Sequence, residues 1–351
     1  MPSDAILIIG GGPAGLEAAR GVAELGYRTV LVEARERLGG TPISANYAAL
    51  THGMRDAAEV MGEMAAAVTG HDLVDVRLST TVTACAGTPG DFSVTLSTGD
   101  TVQAGAIIVA TGFDHFDPGR ANQQYGYYQY DDVITLQDAE AMLKRKEFVK
   151  PSSKMPPERV CFIQCVGSRD RHIGNEYCSK VCCGVASKQA IEIRQLLPTC
   201  KVFIFYIDMR MYGYWENEIY WPAQEKYRVQ YIKGVISEIV MKGDRLMIRG
   251  EDTTMNRPME VLMDVVILSN GMEPSRGTKE IARTLGLAQN KYGFIATPHD
   301  SLDTVATSVP GIFAAGAATG PKDLDDTIGM AGAAAMKAAG AVRRAARAAR
   351  A

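Results

Sequence analysis

The chain has 351 residues, enough for two domains, because a single core stops growing at roughly 250–300 residues. Hydrophobic residues make up 46% and charged residues 22%, with a formal net charge of −3. That balance provides no basic surface for nucleic acid or an anionic membrane. No apolar run reaches the ~18 uncharged residues a bilayer-spanning helix needs, and no basic-then-apolar leader precedes the strand-like "AILIIGGGPAG", so the expectation is a cytoplasmic chain without membrane insertion.

In chain order, "DAILIIGGGPAGLEAARGVAELGYRTVLVEA" predicts a buried strand over Ala5 to Ile9, a glycine turn, a helix over Pro13 to Leu25 and a strand over Thr29 to Glu33. Gly10, Gly12 and Gly15 form G-x-G-x-x-G between strand and helix. The first glycine permits the turn, the second admits a pyrophosphate to the backbone, and the third lets helix pack on strand. Pro13 and Ala14 open the helix whose unpaired N–H groups face the anion. Glu33 ends the next strand 18 residues after Gly15, where a carboxylate can accept from ribose hydroxyls.

A helix is expected over Arg55 to Ala67, then a hairpin and a buried strand through "SVTLSTGDTVQAGAIIVATG", which ends on Ala110, Thr111 and Gly112. The stretch 116–157 is irregular and tyrosine-rich and closes with "KPSSKMPPE", which reads as a connecting segment. A second strand–turn–helix–strand unit follows: "RVCFIQC", a long loop, a helix from about Cys183 to Leu196, and "KVFIFYID". Strands are expected near Val229 to Ile232, Glu238 to Met241 and Val265 to Leu268. "VPGIFAAGAATGPKDLDDT" then gives a strand, a glycine turn and a helix start that return to the first domain. The predicted layout is α/β, with two Rossmann-like dinucleotide-binding domains: residues 1–115 plus 290–351, a connecting segment 116–157, and a second domain 158–289.

"RERLGG" with Ala34, Arg35, Gly39 and Gly40, "IIVATG" and "GIFAAG" resemble segments of the thioredoxin reductase and glutathione reductase flavoproteins. That resemblance implies FAD along Gly316 and its neighbours. The position after "GIFAAG" is usually an aspartate that contacts the flavin's ribityl-phosphate region, and here it is Ala317. "GPKDLDDT", with Lys322 and Asp323, offers a helix N-terminus to the pyrimidine edge of a reduced flavin, or an ordinary capped helix.

The second unit lacks the glycine fingerprint that an NAD(P)H cradle needs. In its place stands "CVGSRDRHIGNEYCSKVCC", with Cys165, Cys178, Cys182 and Cys183 in a C-x12-C-x3-C-C pattern, four of the chain's seven cysteines. An odd, clustered set in a reducing compartment favours metal or redox chemistry over structural disulfides. Spacing alone leaves an iron–sulfur cluster, structural zinc, a disulfide switch and core packing open, with the cluster favoured.

The same stretch resembles the signature of the iron–sulfur flavoproteins of heterodisulfide reductase, as do "YGYYQYDDVITLQDAEAML", "YIDMRMYG" and "ATGPKDLDDT". The resemblance implies that Cys165, Cys178, Cys182 and Cys183 ligate a [4Fe–4S] cluster, and that Lys188 lies near the flavin N5. It further implies an iron–sulfur flavoprotein transferring electrons within a larger complex of several different chains, with the protein itself a homodimer. Since the chain starts at the FAD fingerprint, it resembles the short form found in heterodisulfide reductase-like complexes of sulfur oxidisers, which implies sulfur metabolism. Two other readings stand beside it: an NAD(P)H-dependent disulfide reductase using Cys182 or Cys183, and a zinc-stapled scaffold. Cys85, Cys161 and Cys200 read as core or incidental. The five histidines, His52, His71, His115, His172 and His299, form no catalytic or metal pattern, and His172 reads as a solvated loop residue.

Overall fold

The computed structural model describes residues 3–51, 53–121, 124–299 and 301–350, which leaves His52 outside. The chain divides into two compact units. One holds Met1–Ser44, Glu59–Asp114 and Glu273–Ala351; the other holds Ala45–Ala58 and His115–Met272.

The first unit is built on a parallel sheet with strand order Ile312–Ala314, Ala106–Val109, Ile6–Ile9, Thr29–Val32, Val74–Arg77. Its central strands read "ILII" and "AIIV" without polar interruption because both faces are covered. On one face, helix Pro13–Glu24 packs with helix Leu324–Ala348 through Ala18, Ala19, Val22, Ala334, Ala335 and Ala338. On the other face lies an antiparallel three-stranded layer, Val82–Thr88, Asp91–Leu96 and Thr101–Ala104, whose Phe92, Val94 and Leu96 point inward at alternate positions.

In the second unit the strand order is Arg257–Met263, Arg245–Asp252, Gln230–Lys242, Lys201–Tyr206, Arg159–Val166, Val265–Asn270, Val133–Thr135. The last five pair in parallel. Helices Leu136–Lys144 and Cys182–Leu196 cover one face with Ile219 and Ala223. The opposite face is closed by Ile236, Ile239, Leu246, Ile248 and Met263 from the antiparallel strands.

Both dinucleotide-type units are present as expected, and the boundaries move. Residues 116–157 are part of the second unit: Val133–Thr135 is an edge strand, and Leu136–Lys144 is a helix with a full Thr135/Asp138 capping box. The Pro/Ser-rich stretch behind the linker reading is a pinned turn, because Ser152 donates to buried Asp132 through both N and Oγ, at 3.0 and 2.7 Å. The first unit resumes at Glu273, not at residue 290, and residues 45–58 join the second unit. The expected strands near Val229 and Glu238 are one long strand, Gln230–Lys242.

Candidate functional site

The glycine turn of the first unit is sterically obligatory. A Cβ on Gly15 would stand 1.7 Å from the Gly10 carbonyl oxygen, and one on Gly10, at φ +110°, would stand 2.4 Å from the Ala110 carbonyl oxygen. Only glycines let strand, turn and helix approach this closely. Gly12 caps helix Pro13–Glu24 with extended backbone and no side-chain bond, so its first-turn N–H groups are open to an anion. Buried Glu33 accepts from Gly11 N at 2.6 Å and from Arg35 N at 2.8 Å. Two N–H bonds orient the carboxylate and leave lone pairs for ribose hydroxyls. Ala34 and Arg35 are exposed beside it, and Gly39 N donates to Gly11 O, which fixes Gly39 and Gly40 against the turn.

Ala110, Thr111 and Gly112 follow the Ala106–Val109 strand, and Thr111 Oγ1 lies 2.7 Å from Thr278 Oγ1. Gly316 and Ala317 stand in a short 3-10 turn, Gly316–Thr319, after the Ile312–Ala314 strand. Helix Leu324–Ala348 starts as expected after Lys322. Asp323 is its N-cap and accepts from Asp326 N at 2.8 Å.

The four cysteines of the second unit lie between the end of the Arg159–Val166 strand and the first turn of helix Cys182–Leu196. Cys165, Arg169 and Lys180 hold φ of +64°, +57° and +65°, left-handed values that are unfavourable for residues with a Cβ and that cluster at functional loops. The Cys182 thiol neighbours those of Cys165 and Cys183. Each of the other sulfurs receives a donor from the chain. Lys180 N donates to Cys178 Sγ at 3.3 Å, Arg210 N to Cys183 Sγ at 3.5 Å, and Arg169 Nη1 approaches Cys165 Sγ at 3.9 Å. Asp208 holds the Arg169 guanidinium in a fork, at 2.7 and 3.0 Å.

The Cys182 thiol, with the Arg169 charge, brings Cys165 down to about 7 against the opposing effect of burial. Cys182 itself is pushed well up by its two thiol neighbours and burial, while Cys183 is lowered by Cys182. Burial raises Cys178. Among the described residues, no group of three or more His, Cys, Asp or Glu is gathered to hold a metal ion. The remaining cysteines sit in strands or core, where burial raises all three thiols, Cys200 to about 12. His172 is exposed.

Lys188, one turn beyond Cys183, is not a solvated helix lysine. Its side chain is 1% exposed and lies 2.5 Å from Glu140 Oε1 and 3.1 Å from Glu192 Oε2. Glu140 also accepts from Gln189 Nε2 at 2.7 Å and from Ala48 N at 2.8 Å, so one buried carboxylate ties two helices to the 45–58 segment. Sequence reasoning missed Glu140, although it interrupts the buried stripe Leu136, Ala139, Leu143 of its helix, which is a legible signal. The Arg169–Asp208 fork was also missed, because its partners are far apart in sequence. A cavity of 640 Å³ lies at the other, amino-terminal end of the same strands, lined by Asp132, Lys150, Glu158, Arg245 and Asp264 among others. Asp264 accepts there from Glu158 N and Arg159 N, a strand-start anchor rather than a reactive group.

A glycine turn of the dinucleotide-binding type on a parallel sheet and a cysteine loop on a mixed one fit a two-domain oxidoreductase. Residues 4–340 match the pyridine nucleotide-disulphide oxidoreductase family, and the chain belongs to it: this is an oxidoreductase of a family whose flavin is FAD. It is 39% identical over 244 residues to the A subunit of the H(2):CoB-CoM heterodisulfide,ferredoxin reductase of Methanothermobacter thermautotrophicus, and 40% identical over 237 residues to the iron-sulfur A subunit of the CoB–CoM heterodisulfide reductase of Methanocaldococcus jannaschii. These alignments cover 68% and 66% of this chain but only 37% and 36% of the relatives. In fold it is similar to the thioredoxin reductases of T. acidophilum (TM-score 0.66, 19% identity) and Lactococcus lactis (0.65, 21%), each covering 98% of this chain and 100% of the other. No helix among the described residues is long and apolar enough to cross a membrane.

Proposed function

We propose that the chain is the FAD- and [4Fe–4S]-binding electron-transfer component of a heterodisulfide reductase-like complex in sulfur metabolism. In this reading it is a homodimer whose partner proteins carry the thiol, disulfide or persulfide chemistry. When bound, FAD exchanges electrons in pairs and an iron–sulfur cluster exchanges them singly.

The chain's own residues supply position and electrostatics. Gly10, Gly12 and Gly15 admit a pyrophosphate to an uncapped helix start, and the oriented Glu33 carboxylate accepts from ribose. Cys165, Cys178, Cys182 and Cys183 are the thiolate ligands. Two backbone N–H groups and the Arg169 guanidinium surround their sulfurs with positive potential, which favours an added electron. Lys188 keeps the role of charge stabiliser at the flavin, by resemblance.

One observation carries the reading. Soft thiols supplied with N–H and guanidinium donors occupy the strand-to-helix turn where the fold's second domain would otherwise present a phosphate-binding glycine loop. That donor set fits a sulfur-ligated centre, and the M. jannaschii relative is itself named as iron-sulfur.

The test is iron, sulfide and flavin analysis of anaerobically prepared protein beside Cys182→Ala. About four iron atoms per chain, lost in the variant while FAD stays, is the expected result; iron content unchanged in Cys182→Ala would sink the ligand assignment. The neighbouring Cys182 and Cys183 thiols favour one second reading, a disulfide reductase fed by NAD(P)H. Rapid, stoichiometric flavin reduction by NADH in iron-free protein would select it.

A further inference from the structure

Polar atoms without hydrogen-bond partners collect at the carboxyl end of two strands of the second unit. Among the described residues these are Gln164 Nε2 and Oε1, Ser168 Oγ, Ser269 Oγ and Asn270 Oδ1, all buried. Native proteins leave roughly a few such atoms per 100 residues, and each calls for an explanation. Here five sit on four residues near the same end of the two strands.

Strand alternation states which way they face. In Arg159–Val166, Val160 and Phe162 belong to the helix-side core with Cys182, Ala186 and Ala190, whereas Cys161 and Ile163 belong to the opposite core. Gln164 therefore faces the start of the cysteine-bearing helix. In the neighbouring strand, Val265 and Ile267 are on the helix side and Val266 and Leu268 are not, so Ser269 faces the same way. The register pairs Ile163 with Leu268 and Val166 with Asn270, and the bulge between them sets Gln164 and Cys165 against Ser269. Gln164 immediately precedes Cys165, whose left-handed backbone turns the chain out of the strand. No side chain caps helix Cys182–Leu196 at this end.

An amide nitrogen is only a donor, and thiolate or sulfide sulfur is an acceptor, so the two are complementary. Asn270 Nδ2 is already used on Phe116 O and Gln137 Oε1, which leaves Asn270 only its acceptor oxygen. Gln164 is the residue of this set with a free amide donor next to a cysteine.

Resting on the iron–sulfur reading above, we propose that Gln164 donates its amide N–H to the sulfur-bound centre of the four cysteines and sets its potential. Ser269 Oγ, likewise without a partner among the described residues, donates to the same centre from the neighbouring strand. Gln164 acts through the sulfurs and is a positioning residue for charge. A donor aimed at sulfur stabilises the more negative, reduced state, so its removal makes reduction harder.

The experiment is an anaerobic redox titration followed by electron paramagnetic resonance, with iron and sulfide content measured on each sample of the full chain. Gln164→Leu, close in size, should keep its iron and sulfide. Its reduced-to-oxidised ratio at the wild-type midpoint should fall about tenfold, equivalent to about 59 mV for a one-electron couple. Ser269→Ala should shift the ratio in the same direction and less far. A loaded Gln164→Leu protein with a ratio within about twofold of wild type overturns the proposal. If that variant does not load, a loaded Ser269→Ala protein with an unmoved ratio overturns it equally. Wild-type protein free of iron and sulfide sinks the iron–sulfur reading and this inference together; loaded wild type with unmoved variants sinks this inference alone.

Discussion

His115 shows how one buried ring makes stability depend on pH. Tyr47 Oη lies 2.9 Å from its Nε2, and burial lowers the imidazole to about 4 from its ordinary 6.5. In the folded chain the ring stays neutral while the unfolded chain binds a proton below pH 6.5. The stability this residue contributes is thus complete above pH 6.5 and is lost as pH falls toward 4. Its full span is about 3 kcal/mol. The urea midpoint should drop between pH 7 and pH 5, and His115→Gln should flatten that drop; an equally steep profile in the variant would show that other groups are responsible.

At the scale of elements, the buried Lys188, Glu140 and Glu192 charges fasten helix Leu136–Lys144 to helix Cys182–Leu196. Desolvation makes such a pair weak evidence for net stability, yet breaking one side strands a charge in the core. Lys188→Met should lose about 3–5 kcal/mol in chemical denaturation. Adding Glu140→Gln should restore part of that loss, and simple additivity of the two would argue against coupling.

The elements differ in how far they can be read from residues. "ILII", "AIIV" and "VCFI" are legible because strands covered on both faces carry uninterrupted apolar runs. Val133–Thr135 has too few residues to display a period. Arg245–Asp252 hides its alternation among charges that pair across strands, such as Arg249 with Glu238 and Glu260. The cysteine set stands out by spacing alone. The donors around its sulfurs do not, because Arg169 meets Asp208, and Arg210 N meets Cys183, only through the tertiary fold.

For the whole molecule, the division into units means that the chain passes from one to the other four times, after Ser44, Ala58, Asp114 and Met272. Neither unit is a single continuous stretch. The first unit's sheet pairs Ala106–Val109 with Ile312–Ala314, so its closure waits for residues far along the chain. A chain ending at Met272 loses that strand and the helix whose alanines cover Ala18, Ala19 and Val22. Such a truncation should show no cooperative melting of the first unit by calorimetry and retain no flavin; a sharp transition with bound FAD would mean that the remaining strands suffice.

The loop between Val166 and Cys182 contributes no strand to either sheet, and its left-handed residues hold a shape that hydrogen bonds of the sheet do not impose. Both sheets close through pairings that leave this loop out. The shape of the loop is thus set apart from the pairings of the sheets. Cys165 and Cys178, only partly covered, are open to oxidants. Handling the protein without oxygen keeps these two thiols reduced.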